Sequence, residues 1–162
     1  MKKLLPFALL PLLAGCGFHP LYGDPKLEPQ MAAIYVEPIP ETTGFELRDS
    51  LLNLLGADGK SGGKLYRLKI NLTDSSQGVA LQNDATITRY NDTLTATYVL
   101  TDAGGREITH GTQSSLSSYN VANSPYSTLA AQQDADKRAV QDIADRIRID
   151  LGVFLRRRDI PK

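Results

Sequence analysis

From Thr93 to Leu100 the side chains alternate without interruption, with Thr93, Thr95, Thr97 and Val99 on one parity and Leu94, Ala96, Tyr98 and Leu100 on the other. Successive side chains of a strand point to opposite faces, so this stretch buries one face and leaves its threonines on the other. A sheet built around it needs a second layer on one side only. Leu65 to Thr73 supplies a neighbouring strand, with Leu68, Ile70 and Leu72 facing one way and Lys69, Asn71 and Thr73 the other. Asp102-Ala103-Gly104-Gly105 reads as a hairpin turn, glycine providing the positive φ. Beyond it, Arg106 to Tyr119 is a fourth strand, rich in Ser and Thr and weakly patterned, as one polar face or an edge position would leave it. The long strand can start as early as Thr86, with parity lost near Tyr90 to Asp92.

Two helices are available for the second layer. Leu47, Leu51, Leu54 and Leu55 fall at i, i+4, i+7 and i+8, one apolar stripe. Thr43-Gly44-Phe45-Glu46 ahead of them matches a capping box, and Gly56 sits where a left-handed C-cap belongs. A longer helix starts at Asn123-Ser124-Pro125 and carries Val140, Ile143, Ile147, Leu151 and Phe154, widened by Ala139 and Ala144. It closes on Arg156, Arg157 and Arg158. A short strand over Met31 to Glu37, with Ile34 and Val36 on one parity, precedes both helices. The predicted fold is α+β, order βαβββα. It is a two-layer sandwich with two helices packed on one face of a four-stranded, mostly antiparallel sheet. The first connection passes through a helix and can set one strand parallel.

Ahead of the domain lies a leader. Lys2 and Lys3 precede an uncharged run from Leu4 to Leu13, followed by Leu13-Ala14-Gly15-Cys16. That pattern of charge, apolar run and small residues is an export signal. The run is far short of the about 20 residues that cross a bilayer. Residues 1–15 are thus expected to be a cleaved lipoprotein signal peptide, residues 16–30 a lipidated tether with Pro20, Gly23, Pro25 and Pro29, and residues 31–162 one domain. Cys16 is the single cysteine of the chain, so no intramolecular disulfide can form. A thioether-linked diacylglycerol and an amide-linked acyl chain of the palmitate class would use its thiol and its amine. Each buried methylene contributes about 0.8 kcal/mol, so two or three chains hold nearly permanently. Gly17 after the cysteine, where Asp would retain the protein, favours the outer membrane.

Charge excludes one class of partner. With 18 acidic against 18 basic residues, and Lys2 and Lys3 lost with the leader, the mature chain is close to neutral. That is no footprint for nucleic acid. Hydrophobic content of 41% with 22% charged is ordinary for a globular domain.

No catalytic or metal constellation emerges. His19 and His110 have no partner at ligand spacing, and His110 reads as a side chain on a sheet face. Gly59-Lys60-Ser61 lacks the earlier glycine of a phosphate loop, since Leu54 stands there, and it follows a helix where that loop needs a strand. Asp134, Asp136, Asp142 and Asp145 share one helix with Lys137, Arg138, Arg146 and Arg148 and read as a solvated face. Two basic features remain as candidate contacts for lipopolysaccharide or anionic lipid: Arg156, Arg157 and Arg158 at a helix C-terminus, and Arg89 near the start of the long strand. The arginine run is equally what a helix dipole favours.

Around the cysteine the text is specific. Gly15-Cys16-Gly17-Phe18-His19-Pro20-Leu21-Tyr22-Gly23 resembles the start of mature lipopolysaccharide-assembly lipoproteins of the LptE family. Asn123-Ser124-Pro125-Tyr126-Ser127-Thr128-Leu129-Ala130-Ala131-Gln132-Gln133-Asp134-Ala135, leading into the last helix, is similar to the same family. The resemblance implies a non-catalytic protein without cofactors beyond its covalent lipid. It would be anchored in the outer membrane, face the periplasm, and plug the lumen of the β-barrel LptD. There it would assist the barrel's assembly and the insertion of lipopolysaccharide into the outer leaflet. It also implies lipopolysaccharide binding through basic residues near a loop end, where this chain has Gln82-Asn83-Asp84. Two other readings are an accessory outer-membrane lipoprotein of an ABC-type lipid transport system and a lipid-anchored hydrolase.

Overall fold

The structure, a computed structural model, describes residues 27–81 and 87–158. The expected signal peptide, Cys16 and most of the expected tether lie outside these residues. The elements run α1 (Leu27–Ala32), β1 (Ile34–Val36), α2 (Thr42–Leu55), β2 (Tyr66–Leu81), β3 (Ile87–Asp102), β4 (Glu107–Asn120) and α3 (Pro125–Arg158). The strands form one sheet in the order β1-β2-β3-β4. β1 pairs parallel to β2, and the remaining pairs are antiparallel. The expected α+β sandwich is therefore present, with β4 at the edge and the first crossover through α2.

The core lies between the helices and one face of the sheet. Leu68, Ile70, Leu94, Ala96, Tyr98 and Leu100 point into it from β2 and β3, Leu47, Leu51 and Leu55 from α2, and Val140, Ile143, Ile147, Leu151 and Leu155 from α3. The period-2 and period-3.6 stripes read from the sequence are the stripes that meet. Phe154, placed in the helix stripe by spacing, is only partly buried, and Leu155 takes the core position beside it.

Four details differ from expectation. A third helix, α1, occupies the last residues of the expected tether and shortens the first strand to three residues. Leu27 and Met31 are both buried there, at i and i+4 on one face. Pro29 is tolerated because the first turn of a helix has no use for its missing N–H. So short a helix is held by packing rather than propensity. Gly152 of α3 makes the room, since a Cβ there would lie 3.1 Å from the Met31 methyl.

The capping box does not form. α2 starts at Thr42, with Glu41 as its N-cap at φ 68 and no side-chain capping bond. Gly44 packs so closely under Ile39 that a Cβ would lie 2.7 Å from its Cγ2. With that contact the chain enters the helix two residues early and leaves Thr43 inside it. The C-terminal cap is as read, with Gly56 at φ 64, ψ 27 and Ala57 N–H donating to Leu52 O at 2.9 Å.

β2 continues to Leu81, well past Thr73, because β3 pairs with it along that length although its own pattern turns polar. Finally, the parity of β3 holds through Tyr90 to Asp92, and its irregularity against β4 falls between Leu100 and Thr101.

The Gly59-Lys60-Ser61 turn has a structural use. Lys64 Nζ donates to Ala32 O and pairs with Asp58, both at 2.8 Å. Arg48 Nε donates to Val36 O at 3.2 Å, and its Nη2 reaches Gly59 O at 3.5 Å. The turn thus clamps α1 and β1 to the end of α2.

Candidate functional site

The helices cover one sheet face and leave the other to its own side chains. On β3 and β4 that open face carries Thr93, Thr95 and Thr97 opposite Leu116, Ser114 and Thr112, with Val99 opposite His110 and Asn91 opposite Ser118. The hydroxyls bond across the ladder, Thr95 to Ser114 at 3.2 Å and Thr97 to Thr112 at 3.4 Å. Ser118 donates to Asn91 Oδ1 at 2.6 Å. No acid, lysine or arginine stands among these positions, His110 is their titratable group, and Leu116 is the strongly exposed apolar one. The hydroxyl-bearing stretch is uncharged, and Lys69 of β2 borders it beside Val99.

The covered face turns polar at the far end of the sheet. Asp92 is buried and accepts a hydrogen bond from Ser76 Oγ across the β2–β3 ladder. Its β4 partner Ser117 is buried too. Asp136 of α3, expected on a solvated face, turns toward this cluster. Burial first, then the charges of Asp74, Asp92 and Glu46, hold its carboxyl above the usual range. Burial and Asp92 push Asp74 up in the same way. Acids with raised folded pKa values bind protons more readily folded than unfolded. Stability therefore falls as pH rises through that window, from near 3.8 up to the folded values, and stays lower at neutral pH. Asp136→Asn should raise the unfolding free energy by about 0.5 kcal/mol at pH 7 and leave it unchanged at pH 3, as read from urea titrations at both values. Equal effects at the two pH values would refute the repulsion.

Asp134 and Asp142 behave as read. Asp134 pairs with Arg138, and Asp142 with Arg146 at 2.9 Å. His110 is exposed and lies 2.7 Å from Glu107 Oε1. Among the described residues, no group of His, Cys, Asp or Glu is arranged to hold a metal ion.

The candidate arginines are not brought together. Arg89 is exposed at the far end of β3, opposite Asn120, where β4 hands over to α3. From there α3 runs back over its 34 residues, about 50 Å, so Arg156, Arg157 and Arg158 stand at the other pole. Arg158 lies over the Phe154 ring, 5.7 Å from its centroid.

Spacing did not reveal the network under α3. Tyr98 Oη donates to Asp150 Oδ2 at 2.9 Å, and Gln113 Nε2 donates to the same oxygen at 2.6 Å. A tyrosine on the buried parity, with an aspartate among the apolar stripe of the last helix, was the available signal.

With the fold in place, likeness to known proteins can be weighed. A sequence model of the family LptE, lipopolysaccharide-assembly, matches residues 31–151. The chain belongs to the LptE family. That span covers every strand and both long helices except the last turns of α3, so membership concerns the whole sandwich. Curated protein sequences show no significant match. Among solved structures, a lipoprotein from Caulobacter crescentus CB15 is similar at 26% identity and TM-score 0.69, covering 84% of this chain and 99% of that one. A minor lipoprotein from Acinetobacter baumannii shares the fold at 21% identity and TM-score 0.58, covering 75% and 92%. Rare lipoprotein B from Shewanella oneidensis does so at 11% identity and TM-score 0.59, covering 78% and 96%. Family and neighbours together place the chain among the lipopolysaccharide-assembly lipoproteins as a family.

Proposed function

We propose that this chain is anchored in the outer membrane through lipid on Cys16 and seats from the periplasmic side in the lumen of the β-barrel LptD. There it assists the barrel's assembly and supports the insertion of lipopolysaccharide into the outer leaflet. It does so by fitting, without catalysis and without a cofactor beyond its covalent lipid. Family membership supports the reading. The observation that carries it is the open face of β3 and β4, whose uncharged hydroxyls suit a barrel interior that is polar and wet. An enzyme would need a nucleophile, a base and an orienting group in reach of one another. The carboxylates of the far pole have serines and tyrosines beside them, and no histidine among the described contacts.

Arg89, exposed beside the far hairpin, is the candidate contact for lipopolysaccharide phosphates, for which a guanidinium is well shaped. Detergent extraction of the tagged chain should bring down the barrel. Depletion should remove surface lipopolysaccharide and leave a misassembled barrel, with the periplasmic transport components unchanged. Recovery of an ABC-type transporter or its shuttle in place of the barrel, or normal outer-leaflet lipopolysaccharide after depletion, would overturn the proposal.

A further inference from the structure

We propose that the acidic trough between the start of α2, the first half of α3 and the polar half of β2 receives an arginine side chain from the lumen wall of the barrel. The inference rests on the seat in the barrel proposed above and names the chemistry of one contact there.

Carboxylates from four elements face one another in this trough. Glu41 and Glu46 come from the start of α2, Asp74 from β2, Asp92 from β3 and Asp136 from α3. A cleft of about 450 Å³ opens between the two helices, lined by Thr42, Thr43, Glu46, Gln133, Asp136 and Lys137. The positive end of the α2 dipole favours acids at its start, which accounts for Glu41 and Glu46. It does nothing for Asp92 on the sheet, or for Asp136, about three turns inside α3. Burial, then Asp74, Asp92 and Glu46, raise the Asp136 carboxyl, and burial, Asp92 and Glu41 raise that of Asp74. Lys137 is exposed, and the charges that govern Asp136 are acids.

A buried hydroxyl in the same place lacks a donor. Ser76, Asp92 and Ser117 form one row across β2, β3 and β4. Neighbours of this kind hold their Cβ atoms about 5 Å apart on one face. Ser76 donates to Asp92 from one side. On the other side Ser117 is only 9% exposed, and its Oγ has no hydrogen-bond partner among the described residues. Such a hydroxyl is costly to bury, and an N–H arriving beside Asp92 would satisfy it.

The shape of the cluster selects the cation. Among the described residues no group of acids converges as a metal ion requires. A guanidinium offers five N–H donors on a planar fork and can serve acceptors that stand apart. In the next row of the sheet Tyr90 and Tyr119 stack with centroids 5.6 Å apart, and a guanidinium packs well on an aromatic face. An ammonium is a compact point charge and uses neither feature as fully. The interior of an outer-membrane barrel is polar, so its wall can present such a side chain to a plug.

Two arms test the proposal. In the first, the isolated mature chain is titrated with acetyl-arginine amide. The amide resonances of Asp92, Ser117 and Asp136 should shift and saturate, and acetyl-citrulline amide, of the same shape without the charge, should leave them in place. The double variant D92N/D136N should lose the response while its urea midpoint stays at or above the parent's, which separates recognition from folding. Asp136→Asn alone, which leaves the sheet untouched, should weaken the response about 10-fold. In the second arm, complexes with the barrel are extracted in detergent. The double variant should release the barrel roughly 100-fold faster, and Asp134→Asn, outside the trough, should hold it as the parent does. Benzoylphenylalanine in place of Gln133 should crosslink to a barrel segment that contains arginine. Equal shifts with the two amides, a double variant that holds the barrel like the parent, or an adduct on a segment without arginine would overturn the proposal. Saturable shifts with calcium chloride at lower concentration than with acetyl-arginine amide would overturn it in favour of a metal site. If the parent chain brings down no barrel, the seat in the barrel fails, and the titration still decides whether the trough takes a guanidinium.

Discussion

Leu151→Ala should lower the free energy of unfolding by about 2–5 kcal/mol, a large part of the about 5–15 kcal/mol that holds such a domain. Leu151 is fully buried, in one stripe with Ile147 and Leu155, and belongs to the cluster that the helices and sheet share. Removing three of its carbons takes away their transfer energy and leaves a cavity that a close-packed interior fills only partly. The control lies two residues away. Ile149 on the same helix is 44% exposed, and Ile149→Ala should cost well under about 1 kcal/mol. Urea unfolding of both variants decides the matter. Similar losses would mean that α3 is not packed in the register described.

The second large effect has a sign opposite to the general rule. Gly→Ala in an extended strand usually stabilises by about 0.4–1 kcal/mol, because it restricts the unfolded chain. Gly111→Ala should instead destabilise by about 1–3 kcal/mol. Gly111 stands directly across from Tyr98, and a Cβ there would lie 2.5 Å from the phenol oxygen and 2.7 Å from Cζ. The ring cannot swing clear, because its hydroxyl is tied to Asp150 and the carboxylate is tied to Gln113. Burial first, then Asp150, pushes the Tyr98 phenol far above its ordinary range, so it remains a donor even in alkaline solution. Tyr98→Ala in the same background should erase most of the Gly111→Ala penalty, since the two side chains share one space. Additive losses in that double-mutant cycle would refute the account.

These two sites mark where the sequence was legible and where it was not. The stripe containing Leu151 is visible because burial on a helix repeats every 3.6 residues, and the β3 alternation because burial on a strand repeats every two. Both periods are local. Gly111 is unreadable from its neighbours, because its reason is a tyrosine on another strand. α1 was missed for the same cause, its two buried residues being explained by Gly152, far along the chain. The capping box failed because Ile39 against Gly44 outweighed a local side-chain bond. The polar half of β2 was lost because pairing with β3, rather than pattern, keeps it extended. Of the candidate site residues, Arg89 and the arginine run could be named from the sequence. Their placement at opposite poles required the course of α3, and Asp136 looked like its solvated neighbours until α3 was laid against β3.

If Cys16 is the anchor, as proposed, the six residues of α1 sit in series between the tether and the sandwich. Any pull along the tether loads the contact of Leu27 and Met31 with Gly152, and the Lys64 bond to Ala32, before it reaches a ladder of strand hydrogen bonds. Coiled, the segment spans about 9 Å, and drawn out it spans about 20 Å. The leash therefore stores roughly 10 Å of slack that can be let out without opening the sheet.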